Sequence, residues 1–233
     1  MSERFHINCP LTPGLLHLRG PEAHHLGTVC RARPGDTVYL FNGDGREYPA
    51  RVVEVSRRDV TLDVQQAEMP RRELSFALHL GVALPRGDRS AMLVEKLTEL
   101  GVTVLWPLHC ERSVVKGKAV ESLQRQVIEA SKQCGRNVLL RVEEPIAWNK
   151  FVTLEQLPKR RLLAHPSGAR KLPQQGNEAV VAAIGPEGGF SQSEVALAEQ
   201  AGWQLLGLGP RILRVETAAI AVAVLLGWSS EPG

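Results

Sequence analysis

Two short stretches carry the residues best suited to hold a ligand. The first is Gly185-Pro186-Glu187-Gly188-Gly189, directly after the apolar run Val180-Val181-Ala182-Ala183-Ile184. Glycines there admit positive φ and let the backbone approach a bound group closely. The second is Leu208-Gly209-Pro210-Arg211-Ile212-Leu213-Arg214, which ends another apolar run, 203–208, and leads into Glu216. Two strands thus end in Gly-Pro loops, and each loop feeds a helix. In an open α/β sheet, ligands lie at the carboxyl ends of the strands. A phosphate loop of Walker type is excluded, because no lysine follows the glycines and no GxGxxG occurs. Glu187 would also repel a phosphate.

The elements that must position these loops are legible nearby. The run 180–184 is short, branched and stopped by Gly-Pro, as a buried strand should be. Ser191-Gln192-Ser193-Glu194 matches a capping box, so a helix is expected from Ser191, stopping near Gly202. A second helix is expected over 216–228. It is apolar on every side, which requires burial all round, and its alanines allow close approach of another helix. Upstream, 74–84 reads as a strand and Pro85-Arg86-Gly87-Asp88 as a turn. Asp88 is expected to cap a helix reaching Leu100, with Leu93, Leu97 and Leu100 as its buried stripe, followed by a strand at 102–106. Arg160 to Ala164 reads as a further strand, ended by His165-Pro166-Ser167-Gly168. Strand and helix alternate, so this part is a parallel sheet covered by helices.

Residues 1–70 read differently. Strand signals at 36–41, 47–55 and 60–64 are separated by the tight turns Asn42-Gly43-Asp44-Gly45 and Arg57-Arg58-Asp59. A small β-barrel is expected, with a short helix over 22–30. Met69-Pro70-Arg71-Arg72-Glu73 is the linker to a second domain, 74–233.

The motifs IGPEGGFSQSE and LGLGPRILRVETAA resemble the C-terminal signature of SPOUT-superfamily RNA methyltransferases. More narrowly, they resemble the small-subunit rRNA uridine-N3 methyltransferase family RsmE. The segments HHLGTVCRARPGD and LFNGDG are similar to the PUA-like domain of that family, and Gln133-Cys134-Gly135-Arg136 to its EQCGR motif. Family members carry a proline shortly after that motif, where this chain has Val138-Leu139-Leu140. The resemblance implies an α/β fold: a SPOUT-type trefoil-knotted parallel sheet preceded by a PUA-like β-barrel.

It also implies S-adenosylmethionine as methyl donor, held by Leu163, His165, Pro166, Gly185, Pro186, Glu187, Gly188, Gly189, Leu208, Gly209, Pro210, Ile212, Leu213, Arg214 and Thr217. His165 reads equally as a turn residue without a ligand. The substrate would be a uridine of small-subunit (16S) ribosomal RNA. Arg136 or Arg214 would stabilise the anion that develops as uracil N3–H loses its proton. Glu216 is a weak candidate base, because a helix N-terminus favours its anion. SPOUT enzymes generally dimerise through their knot region, so the last helix is expected to form a homodimer interface. A non-catalytic RNA-binding module with the same fold is the alternative reading.

Charge supports a nucleic-acid partner in one segment only. The net charge of +3 is slight, and 3–73 balances ten basic against ten acidic residues. Arg4, Arg31, Arg33, Arg57 and Arg58 there read either as phosphate contacts or as solvated arginines. From Arg112 to Arg141 seven basic residues face only Glu121 and Glu129. With a helix over 118–135, Arg125, Lys132 and Arg136 approach one face. Arg112, Lys116, Lys118 and Gln133 join them as expected RNA contacts, of a kind that gives affinity without sequence information.

Cys9, Cys30, Cys110 and Cys134 lack CxxC spacing and read as free thiols. No metal site is expected. MSERFHINCPLTPG lacks the pattern of a secretory signal, and the apolar run 218–228 is too short to span a bilayer. The expectation is a cytoplasmic protein.

Overall fold

The computed structural model describes residues 3–56, 59–113, 120–169 and 177–228. The chain divides into two compact units. One is Met1–Arg72 with Ser131–Leu139, the other Glu73–Ala130 with Leu140–Gly233.

The first unit holds β1 (Arg4–His6), β2 (Gly14–Arg19), α1 (Pro21–His24), β3 (Thr37–Phe41), β4 (Tyr48–Val55) and β5 (Asp59–Val64). They form a five-stranded curled sheet in the order β1-β3-β4-β5-β2. Only β1–β3 is parallel. β5 keeps the alternation read from its sequence: Val60, Leu62 and Val64 are buried and join Phe5, Leu18, Leu40 and Val52 in one core. The β3–β4 turn forms where Asn-Gly-Asp-Gly predicts it, with Asn42 Oδ1 accepting from Asp44 N (3.2 Å) and Asp44 Oδ1 from Arg46 N (2.8 Å). The helix expected over 22–30 is α1 followed by a π-helical turn, His25–Val29, with Ala23 and Leu26 in the core.

The second unit contains β6 (Leu78–Val82), α2 (Asp88–Glu99), β7 (Val104–His109), α3 (Val120–Cys134), β8 (Arg141–Val142), β9 (Ile146–Ala147), α4 (Trp148–Phe151), β10 (Arg160–Ala169), β11 (Val180–Ile184), α5 (Gln192–Gln200), β12 (Gln204–Leu206) and α6 (Val215–Trp228). From Ser131 onward, α3 counts with the first unit. The sheet order is β12-β10-β11-β6-β7-β8, every pair parallel, with β9 pairing farther along β7. β11 is buried along its whole length, as a central strand of a parallel sheet must be when both faces are covered.

Three expectations are adjusted. α2 is entered from Gly87, at φ 65°, and Asp88 makes no side-chain cap. Glycine's positive φ turns the chain into the helix, and Asp88 instead sits in the first turn, where the helix dipole favours a carboxylate. The strands expected at 74–84 and 203–208 are trimmed to β6 and β12, and the one expected at 102–106 is shifted to β7, which runs on to His109 where β9 pairs with it; a ladder extends only where a neighbour supplies partners. β10 runs on to Ala169, but Ala164 and Ala169 both pair with Leu206. The expected turn His165-Pro166-Ser167-Gly168 is therefore a bulge thrown out of a continuing strand.

Candidate functional site

The capping box at α5 forms as the sequence predicts. Glu194 N donates to Ser191 Oγ (3.3 Å), and Ser191 N donates to Glu194 Oε2 (2.8 Å). Glu194 Oε1 does a second job that local sequence does not reveal: it accepts from Glu111 N (2.8 Å), just after β7. The 110–113 turn is closed by Cys110 N to Ser113 Oγ (2.9 Å) and Ser113 N to Cys110 O (3.0 Å). It carries Arg112, whose Nη1 donates to Gly188 O (2.9 Å). One buried carboxylate thus fixes the glycine loop's helix and the turn that braces the loop.

Behind the loop, Trp148, Phe151, Trp203 and Phe190 pack as one aromatic cluster, with the Trp148 and Phe190 rings 4.6 Å apart. Trp148 Nε1 donates to Glu194 O (3.1 Å). Gly185 is glycine because a Cβ there would stand 2.9 Å from the Phe190 ring. Gly189, at φ 69°, closes a turn by donating to Pro186 O (2.8 Å).

A cleft of about 460 Å³ opens at the bulge of β10 and the carboxyl ends of β11 and β12. Its walls are Ala164, His165 and Pro166; Ile184 and the loop 185–190; 208–213; Val215 and Ala218 of α6; and Arg112. His165 Nδ1 lies 2.7 Å from Ser167 Oγ and accepts from Ser167 N (3.3 Å), which fixes the ring against the bulge. Cys110 is no nucleophile: burial, and secondarily the charge of Glu194, push its thiol up to about 12.

Of the residues expected around a methyl donor, twelve line this cleft: His165, Pro166, Gly185, Pro186, Glu187, Gly188, Gly189, Leu208, Gly209, Pro210, Ile212 and Leu213. Leu163 does not; it is wholly buried in the sheet core, and its neighbour Ala164 faces the cleft. Arg214 and Thr217 are exposed outside the lining. Glu216 is buried, 3.6 Å from Arg89, and is likewise not part of the lining. Arg136 belongs to the first unit and is 2% exposed.

Part of the expected basic surface is spent in internal contacts. Arg4 pairs with Glu47, donates to Gly135 O (3.2 Å) and Asn137 Oδ1, and stacks over Phe41. Lys132 pairs with Glu22 at 3.0 Å, its side chain 12% exposed. Arg136 is buried. Arg125, Lys132 and Arg136 therefore do not form a solvated basic face. Arg31, Arg33, Arg125 and Gln133 are exposed. Arg112, expected on RNA, is exposed and also braces the cleft. Lys116, Lys118, Arg57 and Arg58 lie outside the described residues.

The sequence reading omitted several lining residues: Arg112 as a wall, Ile184, Phe190, Val215 and Ala218. Val215 and Ala218 are three apart on a helix, a spacing that puts them on one face. Ile184 and Phe190 flank the glycine loop directly. Nothing local marks Arg112, which meets Gly188 from 76 positions away.

The model of an RNA methyltransferase domain matches residues 72–227, and that of an RNA methyltransferase PUA domain matches 18–65. Ribosomal RNA small subunit methyltransferase E of Bacillus subtilis is 30% identical over 231 residues, covering 92% of this chain and 90% of its own. The chain belongs to the ribosomal RNA small subunit methyltransferase E family. Within this family, the Synechocystis protein of the same name is 33% identical, covering 84% of this chain and 67% of its own. The crystal structure of a family member from Neisseria gonorrhoeae, bound to S-adenosyl methionine, superposes with a TM-score of 0.90. It has 30% identity and covers 97% of this chain and 96% of its own. The parallel-sheet unit is accordingly of SPOUT type and the first unit PUA-like. Among the described residues no helix is long and apolar enough to cross a membrane.

Proposed function

We propose that this chain transfers a methyl group from S-adenosylmethionine to N3 of a uridine in small-subunit (16S) ribosomal RNA. The observation that carries the reading is the cleft built at the ends of two parallel strands and the bulge of a third, with the glycine loop and 208–213 in its lining. Its volume suits a cofactor-sized ligand. The lining fits the donor chemically: Ile212, Leu208, Pro210 and Phe190 offer apolar surface, and the loops offer backbone polar groups at close range. When bound, the donor supplies the sulfonium methyl and its own leaving group.

The chain's share is to position the donor and the base, exclude water and handle one proton. Uracil N3 must lose its proton as the new N–C bond forms. Arg214 is the proposed partner of the developing anion, and the burial of Arg136 in the first unit weighs against that residue. Glu216 is the proposed acceptor of the proton. The deciding experiment is mass spectrometry of rRNA nucleosides from cells lacking the protein: N3-methyluridine at the small-subunit site should vanish. Its persistence would sink the assignment. Failure of the purified protein to bind S-adenosylmethionine would favour the RNA-binding module.

Glycine loop variants test the cleft directly. A Cβ at Gly189 meets nothing within 4 Å but is strained by φ 69°, and one at Gly188 presses on the Arg112 stem at 3.3 Å. Gly189→Ala should cost about 1 kcal/mol of stability. Both variants should fold yet weaken donor binding, measured by calorimetry, by about tenfold or more. Near-normal affinity in both would reduce the glycines to turn formers.

Of the expected RNA contacts, the exposed Arg31, Arg33 and Arg125 best fit phosphate binding. Arg125→Ala should weaken RNA binding across sequences and lower the log–log salt slope by about 1. An unchanged slope would return Arg125 to a solvated helix face.

A homodimer is part of the proposal. α6 packs on α2, β6 and β11 and buries Ala219, Val222, Ala223 and Leu226, yet leaves Val224, Leu225 and Trp228 exposed, with Ile212 nearby in sequence also exposed. A second copy would cover this apolar set. Light scattering should give twice the chain mass of 25.5 kDa, and Leu225→Asp should halve it; a monomer at micromolar concentration would refute the interface.

A further inference from the structure

We propose that Arg89 is a positioning residue for the methyl donor, acting through Glu187 and Glu216; this rests on the methyltransferase reading. Arg89 is the second residue of α2 and does not line the cleft. Its Nη2 lies 3.4 Å from Glu187 Oε1, and its Nη1 lies 3.6 Å from Glu216 Oε1. The two carboxylates belong to different segments beside the cleft. Glu187 belongs to the glycine loop after β11. Glu216 follows Val215 in the first turn of α6, whose Val215 and Ala218 face the cleft. One planar guanidinium therefore ties the two segments, a role its rigid fork suits better than an ammonium.

Glu216 gives the arrangement its direction. It is 6% exposed, and its Oε2 is buried without a hydrogen-bond partner among the described residues. Among the described residues its ion pair is with Arg89. A buried carboxylate that loses its counter-charge is strongly unfavourable, so removing Arg89 should shift the α6 end of the cleft. On the other segment, the Arg89–Glu187 pair is exposed and adds little to global stability. Its effect is local. The loop holds Gly188 and Gly189, which restrain their own backbone least. A tether at Glu187 orders this loop before the donor arrives, which lowers the entropy lost on binding.

The test uses the full chain with Arg89→Ala and Arg89→Lys. In the wild type, S-adenosylmethionine and its demethylated product are titrated by calorimetry. For Arg89→Ala, the donor dissociation constant should rise about tenfold, and the melting temperature should fall by about 6–12 °C as the buried Glu216 carboxylate loses its counter-charge. Arg89→Lys should recover part of the affinity, since it keeps the charge but reaches one carboxylate at a time. In turnover, the donor KM should rise by a similar factor whatever kcat does, because Glu216, the proposed proton acceptor, also loses its ion-pair partner. In the donor-free protein, amide hydrogen exchange at Gly188 and Gly189 should accelerate in Arg89→Ala, a readout independent of any ligand. Unchanged donor affinity with unchanged exchange would overturn the proposal. So would a fall in kcat at constant KM. If the wild type itself fails to bind the donor, the methyltransferase reading falls, and the exchange measurement alone decides whether Arg89 tethers the loop.

Discussion

Gly168→Ala should abolish donor binding and cost about 3 kcal/mol of stability, at the upper end of ordinary overpacking. At this bulge the chain passes directly against β12. A Cβ on Gly168 would stand 2.5 Å from Gly207 N and Leu206 C and 2.6 Å from Leu206 N. All three are backbone atoms, so no rotamer change relieves the contact. Either β12 withdraws from β10, or the bulge 165–168 reshapes. Both moves reach the cleft, because His165 and Pro166 lie in the bulge and 208–213 follows β12. Urea unfolding should show a lowered midpoint, and calorimetry no donor heat. Normal donor affinity in Gly168→Ala would mean that the bulge can shift without disturbing its neighbours.

Glu47→Ala should be the most damaging single change in the first unit, at about 3–5 kcal/mol. Glu47 is 4% exposed and accepts from Arg72 Nη1 at 2.7 Å and from Arg4, whose side chain is 11% exposed. The same two arginines hold the end of α3 through Gly135 O, at 2.7 Å from Arg72 and 3.2 Å from Arg4. Without the carboxylate, Arg4 keeps a buried charge with no counter-ion. The urea midpoint should drop at an unchanged slope; a shift below about 1 kcal/mol, the value of an exposed pair, would show that the network contributes no more than surface charges do.

The same residue gives a pH signature. Burial pushes the Glu47 carboxyl up, but hydrogen bonds from Arg72 and Arg4, with their charges, outweigh it and hold the group below its ordinary range. The folded value therefore lies under the unfolded one, about 4.3. The contribution is complete above that value and is lost as pH falls through the lower folded one. Glu47→Gln, which cannot ionise, should flatten this acid limb of the stability curve. An acid limb identical to the wild type's would assign it to other carboxylates.

Local sequence was a good guide wherever local free energy decides the conformation. Ser191 and Glu194 set the start of α5 by bonds within one turn, and Gly202 follows its end. Asn42 and Asp44 build the β3–β4 turn from their own side chains. Burial on both faces of a central parallel strand makes 180–184 apolar throughout, so β11 and the loop after it could be placed together. The same uniform burial hid direction in β10: Leu162 and Leu163 are both buried, and hydropathy does not say that Ala164 opens on the cleft.

What a charged side chain meets was not legible, because its partner is chosen by the fold rather than by its neighbours. In sequence, Arg4 lies in a charge-balanced segment, and Lys132, Arg136 and Arg112 are equivalent members of one basic stretch. In the structure Arg4 reaches Glu47 and Asn137, Lys132 reaches Glu22, Arg136 is buried, and Arg112 holds the glycine loop. Glu194 shows both regimes in one residue: one oxygen completes a capping box readable from four adjacent letters, the other accepts from Glu111 across 83 positions. By itself the sequence determined the two kinds of architecture, the loops at the strand ends and the family. Only the tertiary structure decided which basic groups stay at the surface, since a cation in an interior stays there only with a counter-charge or acceptors that chain packing brings to it.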